Sequence, residues 1–268
     1  MPNHITNVIR FSGDDAHIKD LLTAIQKDEG GFGTFDFNKL IPMPKSLNIE
    51  CSSDTWKALD IYLTAVNPDT PDKGIPKLGK RAFHQLLKGL DSERSYHQFN
   101  THLSAGEIAK YTEYRPLKEM MELGKTAADN IRQYGASTWY DWSIKNWGTK
   151  WNSYECYCEC DNSFIEFNTA WSGVPLIAAK LAEKFPDVDF TYLWADEDIG
   201  HNVGMMRFEK GACVEEYFPD DGTKEAFELC AEVMSDDLSE MGYRYDPETE
   251  TYQYVEDEAP SMGGMEML

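Results

Sequence analysis

HITNVIRF, His4 to Phe11, is the stretch whose reading decides the fold. Its β-branched and aromatic residues favour an extended chain and predict a strand. A helix is expected next, because Asp14 or Asp15 is placed to cap it and Ile18, Leu21, Leu22 and Ile25 recur at helical spacing. After GGFG at 30–33, Thr34 to Leu40 alternates Phe35 and Phe37 with polar residues, and IPMP (Ile41 to Pro44) follows. That alternation predicts a second strand, so residues 1–50 are expected to form the first βαβ part of a sheet domain.

Outward from there the periodicity changes to helices. Trp56, Leu59, Ile61 and Leu63 belong to one, NPDTPDKGIP breaks it, and Phe83, Leu86, Leu87 and Leu90 mark the next. Ser104 with Glu107 has the form of a capping box, and Pro116 and Gly135 bracket a last helix ending near Tyr134. Residues 51–136 are expected to be a helical insertion between two parts of the sheet domain.

Residues 137–242 return to mixed structure. WYDWSIKNWGTKW places Trp139, Trp142, Trp147 and Trp151 in thirteen residues, on a short helix capped by Ser137 or Thr138 and ended by Gly148. Trp139 and Trp142 are one turn apart, with Trp147 about 140° further around, a spread suited to a structural joint between the sheet and the insertion. Strands are expected over Trp151 to Cys160 and Phe164 to Trp171, joined by the DNS turn, then a helix from Val174 to Phe185. VDFTYLW puts Val188, Phe190, Tyr192 and Trp194 on one side of a strand, a hairpin turns at Lys210 and Gly211, and a helix runs from Lys224 to about Met234. Residues 243–268 include DPETETYQYVEDEAPSMGGMEML, with seven acids and no Lys or Arg. Such a composition predicts a disordered acidic tail, whose tyrosines are free to dock elsewhere.

The 268 residues are 41% hydrophobic, enough for a substantial core. No apolar run reaches the eighteen or so residues of a membrane-spanning helix, and MPNHITNVIRF lacks the pattern of a signal peptide. A cytoplasmic protein with no membrane partner is expected. Its six cysteines are then reduced thiols. In ECYCEC, Cys156, Cys158 and Cys160 alternate along a strand and lie in a line, which predicts a buried thiol-lined face over a metal centre.

Charge divides the chain. The net charge is −22, and residues 1–150 carry 19 basic and 19 acidic residues against 6 and 28 in 151–268. Phosphate contacts need cations, so the C-terminal half is unsuited to direct nucleic-acid binding. It suits a basic protein surface, or imitation of a polyanion.

MPNHITNVIRFSG, FDFNKLIPMP, W-x-x-W-S-I-K-N-W-G-T-K-W, FNTAWSGVP and FPDVDFTYLWADEDIG occur here in order, and across residues 1–220 the chain resembles the YubB-type ferredoxin-like-domain proteins of plasmids and phages. The resemblance implies an α+β fold, a ferredoxin-like antiparallel sheet backed by helices, and an accessory gene of a mobile element. It supplies no catalytic residues.

In ADEDIGH, Asp196, Glu197, Asp198 and His201 offer ligands to a divalent metal, with Asp196, Asp198 and His201 the alternative metal set; a solvated turn has the same composition. The histidines at 4, 17, 84, 97, 102 and 201 are scattered, no nucleophile turn is present, and GGFGTF lacks the Lys and Ser/Thr of a phosphate loop. His4 reads as a packed or capping residue. Phe190, Tyr192 and Trp194 read as a core face, since the acids flanking them would repel RNA. No cofactor is expected. The leading expectation is a non-enzymatic inhibitor that binds a host protein with a basic surface, such as a CRISPR or restriction component. Its expected contacts are Asp196, Glu197, Asp198, Glu215, Glu216, Asp220, Asp221, Asp236 and Asp237, with Glu225 and Glu228 adding to the field. A metal-dependent enzyme and a regulatory or assembly module are the alternatives. The sequence leaves the oligomeric state open.

Overall fold

The computed structural model describes residues 3–71, 75–91, 98–159 and 163–255. Parts of NPDTPDKGIP and of the DNS turn, His97, Cys160 and the last residues of the expected tail lie outside them. Chain order runs β1 (His4–Ser12), α1 (Asp15–Ile25), α2 (Ser53–Val66), α3 (Lys80–Asp91), α4 (Ala105–Tyr111), α5 (Leu117–Tyr134) and α6 (Trp139–Trp147). It continues with β2 (Tyr154–Cys158), β3 (Phe164–Ala170), α7 (Pro175–Lys184), β4 (Asp189–Asp196), β5 (Gly204–Glu209), β6 (Ala212–Tyr217), α8 (Lys224–Met234), β7 (Tyr243–Asp246) and β8 (Thr251–Tyr254). Two compact units result, residues 1–40 with 151–268 and residues 41–150.

In the first unit, HITNVIRF becomes the centre of a six-stranded antiparallel sheet of order β2-β3-β1-β4-β5-β6. Asn7 stands opposite Phe167 on one side and Trp194 on the other, and Ile9 opposite Ile165 and Tyr192, so these side chains share a face. The reverse face carries Val8, Leu193 and Ala195, which pack with Ala226, Leu229, Cys230 and Val233 of α8. Both faces of β4 are covered, and its expected core row Phe190, Tyr192 and Trp194 is buried. Within the sheet the Asn7 amide donates to Phe167 O (3.2 Å) and Thr169 Oγ1 (2.9 Å), while Tyr192 OH donates to Asn7 Oδ1 (2.7 Å) and accepts from the Val174 N–H at the start of α7. This chain of bonds satisfies polar groups that would otherwise be buried at a cost. Burial pushes the Tyr192 phenol far above its ordinary value.

The expected strand over Thr34 to Leu40 does not form. Phe37–Lys39 is a 3-10 turn. The Asp36 side chain accepts from Asn38 N–H (2.9 Å) and the Phe37 N–H donates to Asn152 Oδ1 (2.9 Å), so side chains take the donors that a ladder would need. Phe35 and Phe37 are nevertheless in the core, their rings edge-on to each other at 5.1 Å and to Phe167 at 5.2 and 5.9 Å. Burying each ring contributes about 2 kcal/mol. Alternation marked the buried rings correctly and the backbone wrongly.

Two further corrections concern strands. The thiol-lined face of β2 is half-buried, because Glu155 has φ 49° and the register with β3 shifts between Tyr154 and Tyr157. Residues 243–254 of the expected disordered tail form the β7–β8 hairpin. Tyr245 meets Tyr252 at 5.5 Å, Tyr243 meets Tyr254 at 5.5 Å, and Phe227 of α8 lies against both Tyr243 (5.2 Å) and Tyr252 (5.7 Å). These edge-on and tilted ring contacts supply the apolar area that composition alone seemed to deny.

The second unit is helical and packs α2 along α5. Leu59, Leu63 and Val66 meet Phe83, Leu86, Leu90, Ala127, Ala128 and Ile131. Close approach depends on Gly124, where a Cβ would lie 2.1 Å from the Ala58 carbonyl oxygen. The Ser104–Glu107 capping box of α4 and the left-handed Gly135 ending α5 stand where the sequence places them. The unit is wider than the 51–136 expected. Asn130 donates to Ser46 O (2.9 Å) and Ser137 O (3.0 Å), and the Trp147 indole donates to Ile41 O (2.9 Å), which holds both flanks to the helices. In α6, Trp142 and Trp147 are buried edge-on at 5.4 Å and Gly148 is left-handed at φ 84°. Trp139 is half-buried beside Tyr140, while Trp151 lies in the sheet unit, 6.3 Å from the Tyr154 ring.

Candidate functional site

The candidate site is assembled at the end of the sheet where β4 delivers ADEDIGH. Asp196, expected at the surface, is only 5% exposed. Its Oδ1 accepts from Asn3 Nδ2 (3.1 Å) and the Asp198 N–H (3.0 Å), and its Oδ2 from Asn202 Nδ2 (3.0 Å). Asp196 therefore shapes the loop. The charge sits inside because Ile5 opposes it in the register, on the buried face of β1. Glu197 and Asp198 are exposed, and His201 Nδ1 lies 3.7 Å from Asp198 Oδ2.

This geometry disfavours the metal reading. Asp196 points its oxygens at amide donors, and among the described residues no group of three His, Cys, Asp or Glu is placed to hold a metal ion. Beneath the loop the Gly200 N–H donates to the Cys230 sulfur at 3.3 Å. Burial pushes this thiol up, and the charges of Asp196 and Asp198 add to the shift, so it stays protonated. His4, for its part, is a packed residue whose Nδ1 is 2.9 Å from Tyr154 OH.

A second loop is laced to the first. Gly222 N–H donates to Gly200 O (2.8 Å) and Asn202 N–H to Asp221 Oδ1 (3.0 Å), which ties the turn carrying Asp220 and Asp221 to the loop that follows β4. Glu215 and Glu216 stand on β6, all of whose residues are exposed. Arg207 bridges Glu215 (3.0 Å) and Glu209, so part of this charge is compensated. Glu216 Oε1 accepts from the Cys213 sulfur at 3.7 Å.

Asp236 and Asp237 follow α8. The side chain and backbone of Ser239 donate to Asp237, at 2.6 and 2.7 Å, and hold its carboxyl below the usual range. With Glu228, Tyr243, Tyr245 and Tyr252 they line an open recess of about 410 Å³. These tyrosines were absent from the expected site, and the alternation in YRYD and TYQY was their signal. The helical unit has its own apolar recess of about 440 Å³ between Ile61, Leu103, Ile108 and Met121. Lys77 in its wall donates to Ala65 O and Thr70 Oγ1, both at 2.8 Å.

Thus the nine expected contacts divide three ways: four acids on two laced loops, two on an edge strand and two beside the hairpin, with Asp196 withdrawn into the fold.

Residues 146–254 match the family model described as "Ferredoxin-like domain in Api92-like protein", so this part of the chain is a ferredoxin-like domain, and the match takes in the β7–β8 hairpin. A crystal structure of a protein api92 from Yersinia pseudotuberculosis is similar at 10% identity and a TM-score of 0.38, covering 83% of this chain and 99% of that one. No curated protein matches. Among the described residues no helix is long and apolar enough to cross a membrane.

Proposed function

We propose that the chain is a non-enzymatic binding protein that occupies the basic surface of a partner protein through its acidic face. The observation that carries this reading is the set of exposed carboxylates at Glu197, Asp198, Glu215, Glu216, Asp220 and Asp221, in a unit with 34 acidic and 10 basic residues. A field of that sign speeds encounter with cations and repels phosphates. Under this reading the protein is an accessory product of a phage or plasmid acting in the bacterial cytoplasm. The partner is a nucleic-acid-handling defence factor of CRISPR or restriction type, whose basic groove is filled in place of DNA or RNA.

The test is capture from host lysate with a salt titration between about 50 and 500 mM, beside a Glu215→Gln, Glu216→Gln, Asp220→Asn, Asp221→Asn variant. Capture that weakens with salt and is lost in the variant is expected. Capture indifferent to both would end the electrostatic reading and leave a regulatory or assembly module.

A further inference from the structure

We infer that β6 is a docking edge that takes an extended, lysine- or arginine-bearing strand of a partner protein as a seventh strand of the sheet. The inference deepens the acidic-face reading and rests on it.

Among the described residues β6 is a terminal strand, hydrogen-bonded to β5 alone. Its free edge offers a row of backbone donors and acceptors, a ready template for another strand. All six of its residues are exposed, unlike those of β4, which is covered on both faces. Apolar side chains stand along it: Val214 is 49% exposed, Tyr217 40% and the adjoining Phe218 52%. At the opposite edge, β2, the register shifts between Tyr154 and Tyr157, whereas on β6 Tyr217, Glu216 and Glu215 pair in succession with Met205, Met206 and Arg207 up to a single bulge.

Charge selects the occupant. A second copy pairing edge to edge would bring Glu215 and Glu216 against the same residues, and like charges across strands are destabilising. The bulge at Val214, between the pairs Phe208–Cys213 and Arg207–Glu215, is a second guard against indiscriminate pairing. A guard made of carboxylates discriminates by sign. It excludes another copy of this acidic unit and favours a cationic strand, whose alternate side chains reach Glu216 while its intervening apolar residues meet Val214 or Tyr217.

The experiment uses the whole chain and three seven-residue probes: alternating Lys and Val, the same peptide N-methylated along one edge, and alternating Glu and Val. Amide exchange of β6 and fluorescence anisotropy are the readouts. The Lys–Val peptide is expected to slow exchange in β6, to bind about tenfold or more tighter than the N-methylated one, and to outbind the Glu–Val peptide. Val214→Pro, which keeps every charge, is expected to abolish its binding, with α8 exchange as the check on folding. Should that variant misfold, Val214→Lys is expected to weaken binding through repulsion.

Equal binding of the methylated peptide, binding without protection of β6, or no binding of any cationic probe would overturn strand addition. If lysate capture stays salt-sensitive meanwhile, the acidic-face reading survives. Strand addition by the peptide together with salt-indifferent capture would overturn that reading instead. Concentration-dependent dimerisation that protects β6 without peptide would make a second copy the occupant and defeat the inference.

Discussion

The two units differ in their balance of charge. The helical unit carries 15 basic and 13 acidic residues, and its acids meet cations: Lys125–Asp129, Lys57–Asp54 and Arg115–Glu50. The sheet unit carries 10 and 34, and there, beside ion pairs such as Arg10–Glu232 and Lys39–Asp28, many aspartates turn to backbone N–H groups. Asp14, Asp36, Asp189, Asp196, Asp221, Asp237 and Asp246 each accept from backbone N–H. A strongly acidic unit is thus built with few matching cations, because its aspartates cap a helix and fix turns. What remains uncompensated faces solvent. The difference teaches that net charge in the sheet unit is partly architecture and only partly surface.

The largest expected break of this contrast comes from packing in the helical unit. Gly124→Val drives a side chain into Ala58 and Tyr62 and should cost about 3 kcal/mol. Amide exchange resolved along the chain checks it: α2 and α5 should lose protection while β1 and β4 keep theirs. Uniform loss would show that the units do not unfold separately.

Next is Tyr192→Phe, which deprives Asn7 Oδ1 and the Val174 N–H of a partner and should cost the sheet unit about 2 kcal/mol in urea unfolding. Asp196→Ala should follow at about 1 kcal/mol, its orphaned donors offset by relief from a buried charge. Its signature is faster exchange over 198–202 with α2 and α5 unchanged. The smallest effect is with pH. Hydrogen bonds from Ser239 hold Asp237 below its ordinary 3.8, and those from Glu248 N–H and Thr249 hold Asp246 below the same value. Bonds from Ser104 hold Glu107 below its ordinary 4.5. A lowered folded-state pKa gives stability that is complete above the ordinary value and is lost as pH falls through the folded one. The turns at 237–239 and 246–249 and the start of α4 should therefore loosen only in acid, seen as exchange rates corrected for intrinsic pH dependence. Loosening toward neutral pH would contradict the bonding described.

Much of the fold was legible where turn chemistry and periodicity agree. Ser104 with Glu107, Gly135 after α5 and Lys210–Gly211 between β5 and β6 each announce themselves, because few residues fit such positions. Two failures had a common cause in tertiary partners. Asn152 takes the Phe37 N–H from far along the chain, and Phe227 supplies the ring on which the β7–β8 tyrosines settle. Neither partner is visible in a local window. At the site, the acids of the loops and of β6 were legible as charge, but burial of Asp196 was not, because Asn3 and Asn202 had first to be brought to it by the sheet.

The central position of β1 has a consequence for how the chain comes into being. Its neighbours are Phe164–Ala170 and Asp189–Asp196, both made after the entire helical unit. During synthesis the helical unit closes on local contacts, while β1 waits for partners that emerge only after that unit. Through that interval Ile5, Val8 and Ile9 lie open to capture by other chains. The middle of the sheet is thus the first strand written and among the last to be sheltered.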